Sequence, residues 1–479
     1  MKRIFTLLCL PIALTTNAQD ISGSWQGQIN AGGAQIRFVM NLTKTASGYT
    51  ASFDSPDQKA YGIAGSKTVL AKDSLIADIA IMNASYRGKW DGHDAITGVF
   101  RQGPAILNLD MKRMSDAQKA SAAPPPVPPK PQTPKAPYPY NVENIMYENP
   151  DASVHYAATF TKPSGEGSFP AVIIISGSGP QDRDGTLGGH KGYAVLGDYL
   201  TRNGIAVLRV DDRGVGGTSL GNNIDRVTSE DFAKDVEAGI TYLQSRDDVQ
   251  KKNIGLIGHS EGGMIAPMIA AKRDDIGFII LLAGPGVSGE MIWDQQIAQS
   301  LINPGLSEKD HAKAMELVHT AFGGFQKSSE YNRIKADMHI AYTNWKRNVP
   351  DSMEKRLMAV PGETPYTSWA DLMKNAHALA WTNYFFNYQP APNLQKVKCP
   401  VLALNGENDR QVGYKENLAG IEAALQKGKV KQFTTKALPG LNHMFQTCKS
   451  PTDDYESLEE SFSPVAMQLI SDWIHSNLK

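Results

Sequence analysis

The pattern of apolar and polar positions divides the chain into three textures. From Asp20 to about Arg113, short segments alternate: Ser24–Ile29, Gln35–Thr43, Tyr49–Phe53, Thr68–Leu70, Leu75–Ile81, Ser85–Trp90, Ala95–Arg101 and Ile106–Met111. Glycines and Asp/Asn/Ser clusters break them at regular intervals. A period of two with frequent turns predicts an antiparallel all-β domain over 20–113, a small barrel or sandwich. Its opening, Ile21-Ser22-Gly23-Ser24-Trp25-Gln26-Gly27, resembles the Gly-x-Trp first strand of lipocalin-like barrels. An accessory module is the expected role. The stretch 114–140 is dense in proline, which excludes helix and central strand and favours an extended, semi-rigid linker.

From Asn141 apolar runs alternate with helical periodicity. Ser153–Lys162, Ala171–Ile175, Ala206–Asp211, Ile254–Ile257, Gly277–Leu282, Val401–Leu404 and Val430–Ala437 read as strands. Tyr193–Asn203, Ser229–Ser245, Tyr414–Lys427 and Val465–Asn477 read as helices, the second capped by Ser229. Most of these strands lack polar alternation, as strands buried on both faces do. The predicted fold class is α/β, an open and mainly parallel sheet covered by helices over 141–479. Between 287 and 394 the rhythm stops. Ser307–Phe322, Ser329–Trp345, Pro350–Met358 and Ser368–Phe386 are helical in pattern, which predicts a helical cap inserted between two strands.

Within this rhythm, Asn253–Arg273 contains the strand Ile254–Ile257, the turn Gly258-His259-Ser260-Glu261-Gly262 and a helix. Gly-x-Ser-x-Gly between strand and helix is the nucleophile elbow, with Ser260 at its apex. Asp409 follows the strand Val401–Leu404, and His443 follows the last strand. Both fall at strand C-terminal ends, where ligands bind in open α/β sheets. The order Ser260, Asp409, His443 is that of α/β-hydrolases. The residue types suit acyl transfer: His443 as general base for the serine hydroxyl, Asp409 orienting the imidazole. The oxyanion needs fixed donors. One is expected from the backbone N–H of Glu261, the residue after the nucleophile. The other is expected from the loop Ser176–Gly179, with Ser178 first and Gly177 second.

The motifs Ser176-Gly177-Ser178-Gly179-Pro180-Gln181-Asp182-Arg183-Asp184, Asp212-Arg213-Gly214-Val215-Gly216-Gly217-Thr218-Ser219, Gly258–Gly263, Gly406–Val412 and Asn442–Phe445 span the second half of the chain. With these motifs the chain resembles an exported bacterial branch of serine α/β-hydrolases, the EstD-like carboxylesterases, which share features with serine aminopeptidase-type hydrolases. The resemblance implies an α/β-hydrolase fold and a carboxylic ester substrate. It departs at Ser176, where relatives commonly have His, and at Tyr388-Gln389-Pro390, where relatives often have Tyr-Asp-Pro.

Composition narrows the function classes. With 479 residues the chain is long enough for two or three domains, and a formal net charge of −1 gives no basic footprint for nucleic acid. Met1–Ala18 reads as an export signal: Lys2-Arg3, the apolar Ile4–Leu14, then Thr16-Asn17-Ala18 as a cleavage site. No transmembrane segment is expected. Cys399 and Cys448 are expected to stay unpaired, because the fold places them at opposite ends of the sheet. No Cys/His spacing suggests a metal, and no cofactor is expected. Gly214-Val215-Gly216-Gly217 opens no helix, so it is not a dinucleotide fingerprint. Asp211, Asp212 and Arg213 read as an ion-pair turn. The aromatic run Trp381, Tyr384, Phe385, Phe386 and Tyr388 reads as cap core, with a pocket lining as the alternative. The reading is a serine hydrolase acting on a small ester. A peptidase using the same residues, or a secreted binding protein on a hydrolase scaffold, are the alternatives.

Overall fold

The computed structural model describes residues 20–478, apart from 32–33, 46–47, 59, 66, 80–83, 103–104, 123–127, 223–225, 302–304, 327, 329 and 358–375. The expected export signal at 1–18 lies outside the described residues, as does part of the expected helix Ser368–Phe386. Two compact units divide near Pro125.

The first unit is one curled antiparallel sheet of ten strands. Alternation sends Trp25, Phe38, Phe53, Tyr86 and Phe100 into a common core, where Trp25 is fully buried and its Nε1 donates to Ile21 O at 2.9 Å. Two strands differ from expectation. Ala60–Ala64 is an additional one, and the segment read as Ile106–Met111 splits into Ala105–Asn108 and Met111–Arg113. The proline-rich stretch is also not one extended spacer. Asp116–Ala122, ahead of the prolines, is a helix, and Ala122 packs on Val39 and Met114 of this unit.

The second unit holds an eight-stranded sheet. In spatial order the strands are Tyr140–Glu148, His155–Pro163, Ala206–Val210, Phe169–Ile175, Val249–His259, Phe278–Leu282, Val401–Gly406 and Phe433–Leu438. The first two pair antiparallel, the second pairs antiparallel with the third, and from there every pair is parallel. The edge strand Tyr140–Glu148 was not foreseen. It presents no apolar run because it alternates exposed and half-covered positions. The strands around Val249–His259 are buried on both faces, with Ile173, Leu256, Ile279 and Ala403 packing to one side and Val172, Ile257, Ile280 and Leu402 to the other. Buried faces on both sides explain their unbroken apolar runs.

Between Phe278–Leu282 and Val401–Gly406 the described chain is helical: Gly289–Leu301, Glu308–Phe322, Tyr331–Lys346, Asp351–Leu357 and Ala376–Asn387. These helices share a core of Phe322, Phe325, Ile334, Met338, Trp345 and Phe386. The helix Gly289–Leu301 was missed in the sequence. Cys399 and Cys448 are both buried thiols outside any disulfide. Among the described residues no helix is long and apolar enough to cross a membrane.

Arg246 ties the antiparallel edge to the sheet centre. Its guanidinium bonds Glu143 of the edge strand at 2.9 and 3.0 Å, Asp248 at 2.8 Å, and the Tyr242 hydroxyl at 2.7 Å. It also lies 4.2 Å from the centre of the Phe160 ring. Arg246 and then Lys162 hold the Asp248 carboxyl well below its usual range. A depressed carboxyl contributes stability above its unfolded pKa of about 3.9 and loses it as pH falls through the folded value. Arg246→Met is expected to cost about 2–3 kcal/mol at neutral pH, because two half-buried carboxylates lose their partner. Urea unfolding of the variant at pH 7 and at pH 3 checks this; the loss should shrink at the lower pH.

Candidate active site

The site begins with backbone strain. Ser260 has φ +53°, in the left-handed region. Such a conformation costs a non-glycine residue energy and persists only where neighbours hold it. Here the Ser260 N–H donates to Leu282 O at 2.8 Å, and its carbonyl accepts from Gly263 N at 2.8 Å. The two elbow glycines are required by close approach. A Cβ on Gly258 would lie 2.0 Å from Gly262 O, and one on Gly262 would lie 2.4 Å from Ile175 O. The helix Gly262–Ala270 can therefore start directly against the strands, with its positive dipole end beside the serine.

Asp409 and His443 are brought together by the loops after Val401–Gly406 and Phe433–Leu438. His443 Nδ1 is 2.8 Å from Asp409 Oδ2, and both side chains are buried. The other carboxylate oxygen, Oδ1, accepts from the backbone N–H of Gln411 at 2.8 Å and of Val412 at 2.9 Å. Three acceptor interactions fix the carboxylate and the imidazole orientation. Such charge-assisted bonds are each worth about 1.5–3 kcal/mol.

His259, beside the serine, joins this pair to the elbow. Its Nε2 is 2.9 Å from the His443 carbonyl and its Nδ1 is 3.0 Å from the Tyr193 hydroxyl. A carbonyl only accepts, so Nε2 carries the proton and Nδ1 accepts from Tyr193. Burial, and then the neighbouring His443, push the His259 pKa down to about 3, which keeps this ring neutral. The Tyr193 oxygen accepts the Gly177 N–H at 3.3 Å. This corrects the place given to Gly177 as a second-choice oxyanion donor: its N–H is engaged by Tyr193. The backbone N–H groups of Ser178 and Glu261 donate to no acceptor among the described residues.

Two acids, Glu261 buried and Asp212 half-buried, flank this region, and neither has a cationic partner among the described residues. Glu261 Oε1 accepts from Ser229 Oγ at 2.6 Å and from Trp381 Nε1 of the cap at 2.7 Å. Burial raises its pKa against those hydrogen bonds and a further one from Ser178. The helix cap read at Ser229 is therefore wrong. Thr228 is the cap residue, its N–H donating to Asp231 at 3.1 Å, while the Ser229 hydroxyl is turned inward to Glu261. Asp212 is likewise no member of an ion-pair turn. Its Oδ1 accepts from Ser176 Oγ at 2.7 Å and its Oδ2 from Gln181 N at 2.8 Å, so it clasps both ends of the loop carrying Ser178. Its neighbours do form pairs, Asp211 with Arg183 and Arg213 with Asp235.

The aromatic run divides. Phe385 and Phe386 are core, and the Tyr388 hydroxyl approaches Met264 O at 3.5 Å. Trp381 alone reaches the elbow. A separate cavity of about 540 Å³ is lined by Asp182, Arg183, Asp184, Lys191, Arg209 and Asp211, among others, and borders none of Ser260, Asp409 and His443. Arg183 there pairs with Asp211, and Asp184 with Lys191 and Arg209. Among the described residues no cluster fits a metal ion. Tyr193, His259, Ser229 and Trp381 were missed as site residues. His259 stood inside the elbow motif, and the other three carried no local signal.

The chain is similar to several known proteins. Residues 186–319 match the family model of serine aminopeptidases, S33. Esterase EstD of Thermotoga maritima is 30% identical over 163 residues, 33% of this chain and 38% of the esterase, so the chain spans about two fifths of that relative. Proline iminopeptidase of Lactobacillus helveticus is 21% identical over 305 residues, 63% of this chain and 92% of the peptidase. Est1E from Butyrivibrio proteoclasticus, solved with ferulic acid, overlaps 70% of this chain and 98% of its own at 17% identity and a TM-score of 0.38. The sheet order, the strained serine between strand and helix, and these sequence relatives make the chain a member of the serine α/β-hydrolase superfamily. Within that class its relatives include an esterase and a proline iminopeptidase.

Asp212 titrates where it can be measured. Burial, with Glu261 and Asp235 as further like charges, pushes its pKa up to about 7 despite the bonds from Ser176 and Gln181. A carboxyl raised in the fold contributes stability below its unfolded pKa, near 3.9, and loses that contribution as pH rises through about 7. Asp212→Asn is expected to flatten the fall of Tm between pH 4 and 8, which calorimetry across that range checks.

Proposed function

We propose that the chain hydrolyses short-chain carboxylic esters through a Ser260 acyl-enzyme. The observation that carries this reading is the buried Asp409–His443 hydrogen bond, joined through His259 to a serine held at φ +53°. In the proposed reaction Ser260 Oγ attacks the ester carbonyl carbon while His443 Nε2 accepts the hydroxyl proton. Asp409 stabilises the imidazolium. The tetrahedral oxyanion is held by the Glu261 and Ser178 N–H groups, each worth on the order of 10²–10³ in turnover. His443 returns its proton to the departing alkoxide as the C–O bond breaks. A water, deprotonated by the same nitrogen, then attacks the acyl carbon and releases the acid and Ser260.

The match to serine aminopeptidases and to a proline iminopeptidase supports a second reading, peptide hydrolysis by the same residues. The two diverge at the leaving group, since an amine must be protonated by His443 before it departs. A binding protein on this scaffold is the third. We further propose export, on the strength of Lys2-Arg3 and the apolar run Ile4–Leu14, and an accessory role for the lipocalin-like N-terminal unit.

Ester turnover on p-nitrophenyl butyrate is expected to exceed turnover on aminoacyl anilides. Strong anilide cleavage with negligible ester cleavage would reverse the assignment. Ser260→Ala is expected to lower kcat by on the order of 10⁶ and to abolish labelling by a fluorophosphonate probe. Labelling that persists in the variant, or is absent from the parent, sinks the acyl-enzyme.

A further inference from the structure

The proline-rich stretch does more than connect. Its second half belongs to the same compact unit as the eight-stranded sheet. Two of its side chains grip the segment 456–462, more than three hundred residues later. Gln132 Oε1 accepts the backbone N–H groups of Ser461 and Phe462 at 2.5 and 3.0 Å, while its Nε2 donates to Phe462 O at 2.8 Å. One side-chain amide thus satisfies three main-chain groups, as a neighbouring strand would. Lys130 Nζ donates to Glu456 O and Leu458 O, both at 2.7 Å.

The gripped segment is the wall against which the His443 turn rests. Ser463 N donates to Phe445 O at 2.8 Å, and the Phe462 ring stacks on Phe445 with centroids 5.5 Å apart. Phe445, two residues after His443, has φ +59° and is fully buried. Glu460 accepts from the N–H and hydroxyl of Thr447 at 2.7 and 2.8 Å. Ser461 Oγ lies 2.8 Å from His190 Nδ1, and His190 Nε2 lies 3.3 Å from Gln446 Nε2. Gln446 and Met444 both donate main-chain N–H groups to Asn442 Oδ1 at 3.0 Å. Phe445 and Thr447 are therefore held directly by the segment that Gln132 clamps, Asn442 is bonded to Phe445, and Gln446 is reached through His190. The positive-φ turn at Phe445 is strained and needs such outside support.

We propose that Gln132 is a positioning residue for His443, acting through Ser461–Ser463 and Phe445, so that the proline-rich sequence ahead of the first strand of this unit is part of the catalytic apparatus. The proposal rests on His443 being the general base. It makes the functional start of the hydrolase unit lie before Lys130 rather than at Asn141. A misplacement of the base on the order of 1 Å is enough to cost up to about 10²-fold in rate, which is the size of effect a loosened turn produces.

The test is made in the full chain with Gln132→Ala, Lys130→Ala and, as a control in the same stretch, the exposed Lys135→Ala. Active sites are counted with a fluorophosphonate, and kcat and KM for p-nitrophenyl butyrate are measured per labelled serine, well below each variant's Tm. For Gln132→Ala, kcat per site is expected to fall about tenfold with KM within twofold, and amide hydrogen exchange at 443–447 is expected to speed up. Lys130→Ala should give a smaller loss of the same kind and Lys135→Ala none. A lowered Tm with unchanged kcat per site and unchanged exchange at 443–447 would overturn the proposal, leaving Gln132 a packing residue. If Gln132→Ala does not fold, Lys130→Ala carries the same readouts and decides. If the parent neither labels nor turns over, the hydrolase reading fails by itself, and the exchange measurement still decides whether Gln132 holds the His443 turn.

Discussion

The site depends first on the fit of a helix start against three strand ends. Ser260 is held in a left-handed conformation by its N–H bond to Leu282 O, and Gly258 and Gly262 pass so close that no side chain fits between them. That contact aims the serine above the sheet. It also leaves the Glu261 N–H without an acceptor and starts the helix Gly262–Ala270 beneath it. The parallel strands supply the rigidity that makes this affordable: Leu256, Ile279 and Ala403 are fully buried in adjacent strands, so the elbow rests on the least yielding part of the molecule.

From this anchor, order spreads outward by hydrogen bonds rather than by apolar packing. His259 connects the elbow to the His443 carbonyl on one side and to Tyr193 and Gly177 on the other. The loop with Ser178 is thus fixed at Gly177 by Tyr193 and at its two ends by Asp212. A neutral His259 suits this role. An imidazolium would have to donate from Nδ1 as well, and the Tyr193 hydroxyl would turn away from it.

What the sequence made legible follows from how far each contact reaches. The elbow, the acid at a strand end and the later histidine are local patterns, and the sheet order sets the acid and histidine strands side by side, with Phe278–Leu282 between them and the elbow strand. The buried strands announced themselves by apolar runs. The edge strand Tyr140–Glu148 did not, because one of its edges pairs with nothing and its side chains are half exposed. The helix Gly289–Leu301 carried signals that were passed over, Trp293 and Ile297 four apart and Ser288 accepting from Met291 N, behind a glycine at its first position. Ser229 resembled a cap because its neighbours Glu230 and Asp231 suit any first turn; only the fold reveals that Thr228 takes the capping place and Ser229 faces Glu261, 32 positions away. Gln132 and Ser461 are separated by 329 positions, and a glutamine among prolines carries no local mark of its partner.

The two acids without a cation show where local rules give way. Taking such a carboxyl out of water is costly, and Glu261, adjacent to the serine, is buried while Asp212 is half-buried. Each is bonded on specific sides: Asp212 by the ends of the Ser178 loop, Glu261 by Ser229 of one helix and Trp381 of the cap. Apolar residues of the same size would pack more cheaply but would leave the loop ends and the Trp381 N–H without acceptors. The acids therefore exchange stability for fixed geometry, the kind of departure expected around a functional site. Glu261 makes the exchange twice over. Its main-chain N–H has no acceptor among the described residues, and its side chain accepts from Trp381 of the cap helix Ala376–Asn387, so the elbow and the cap meet at one amino acid.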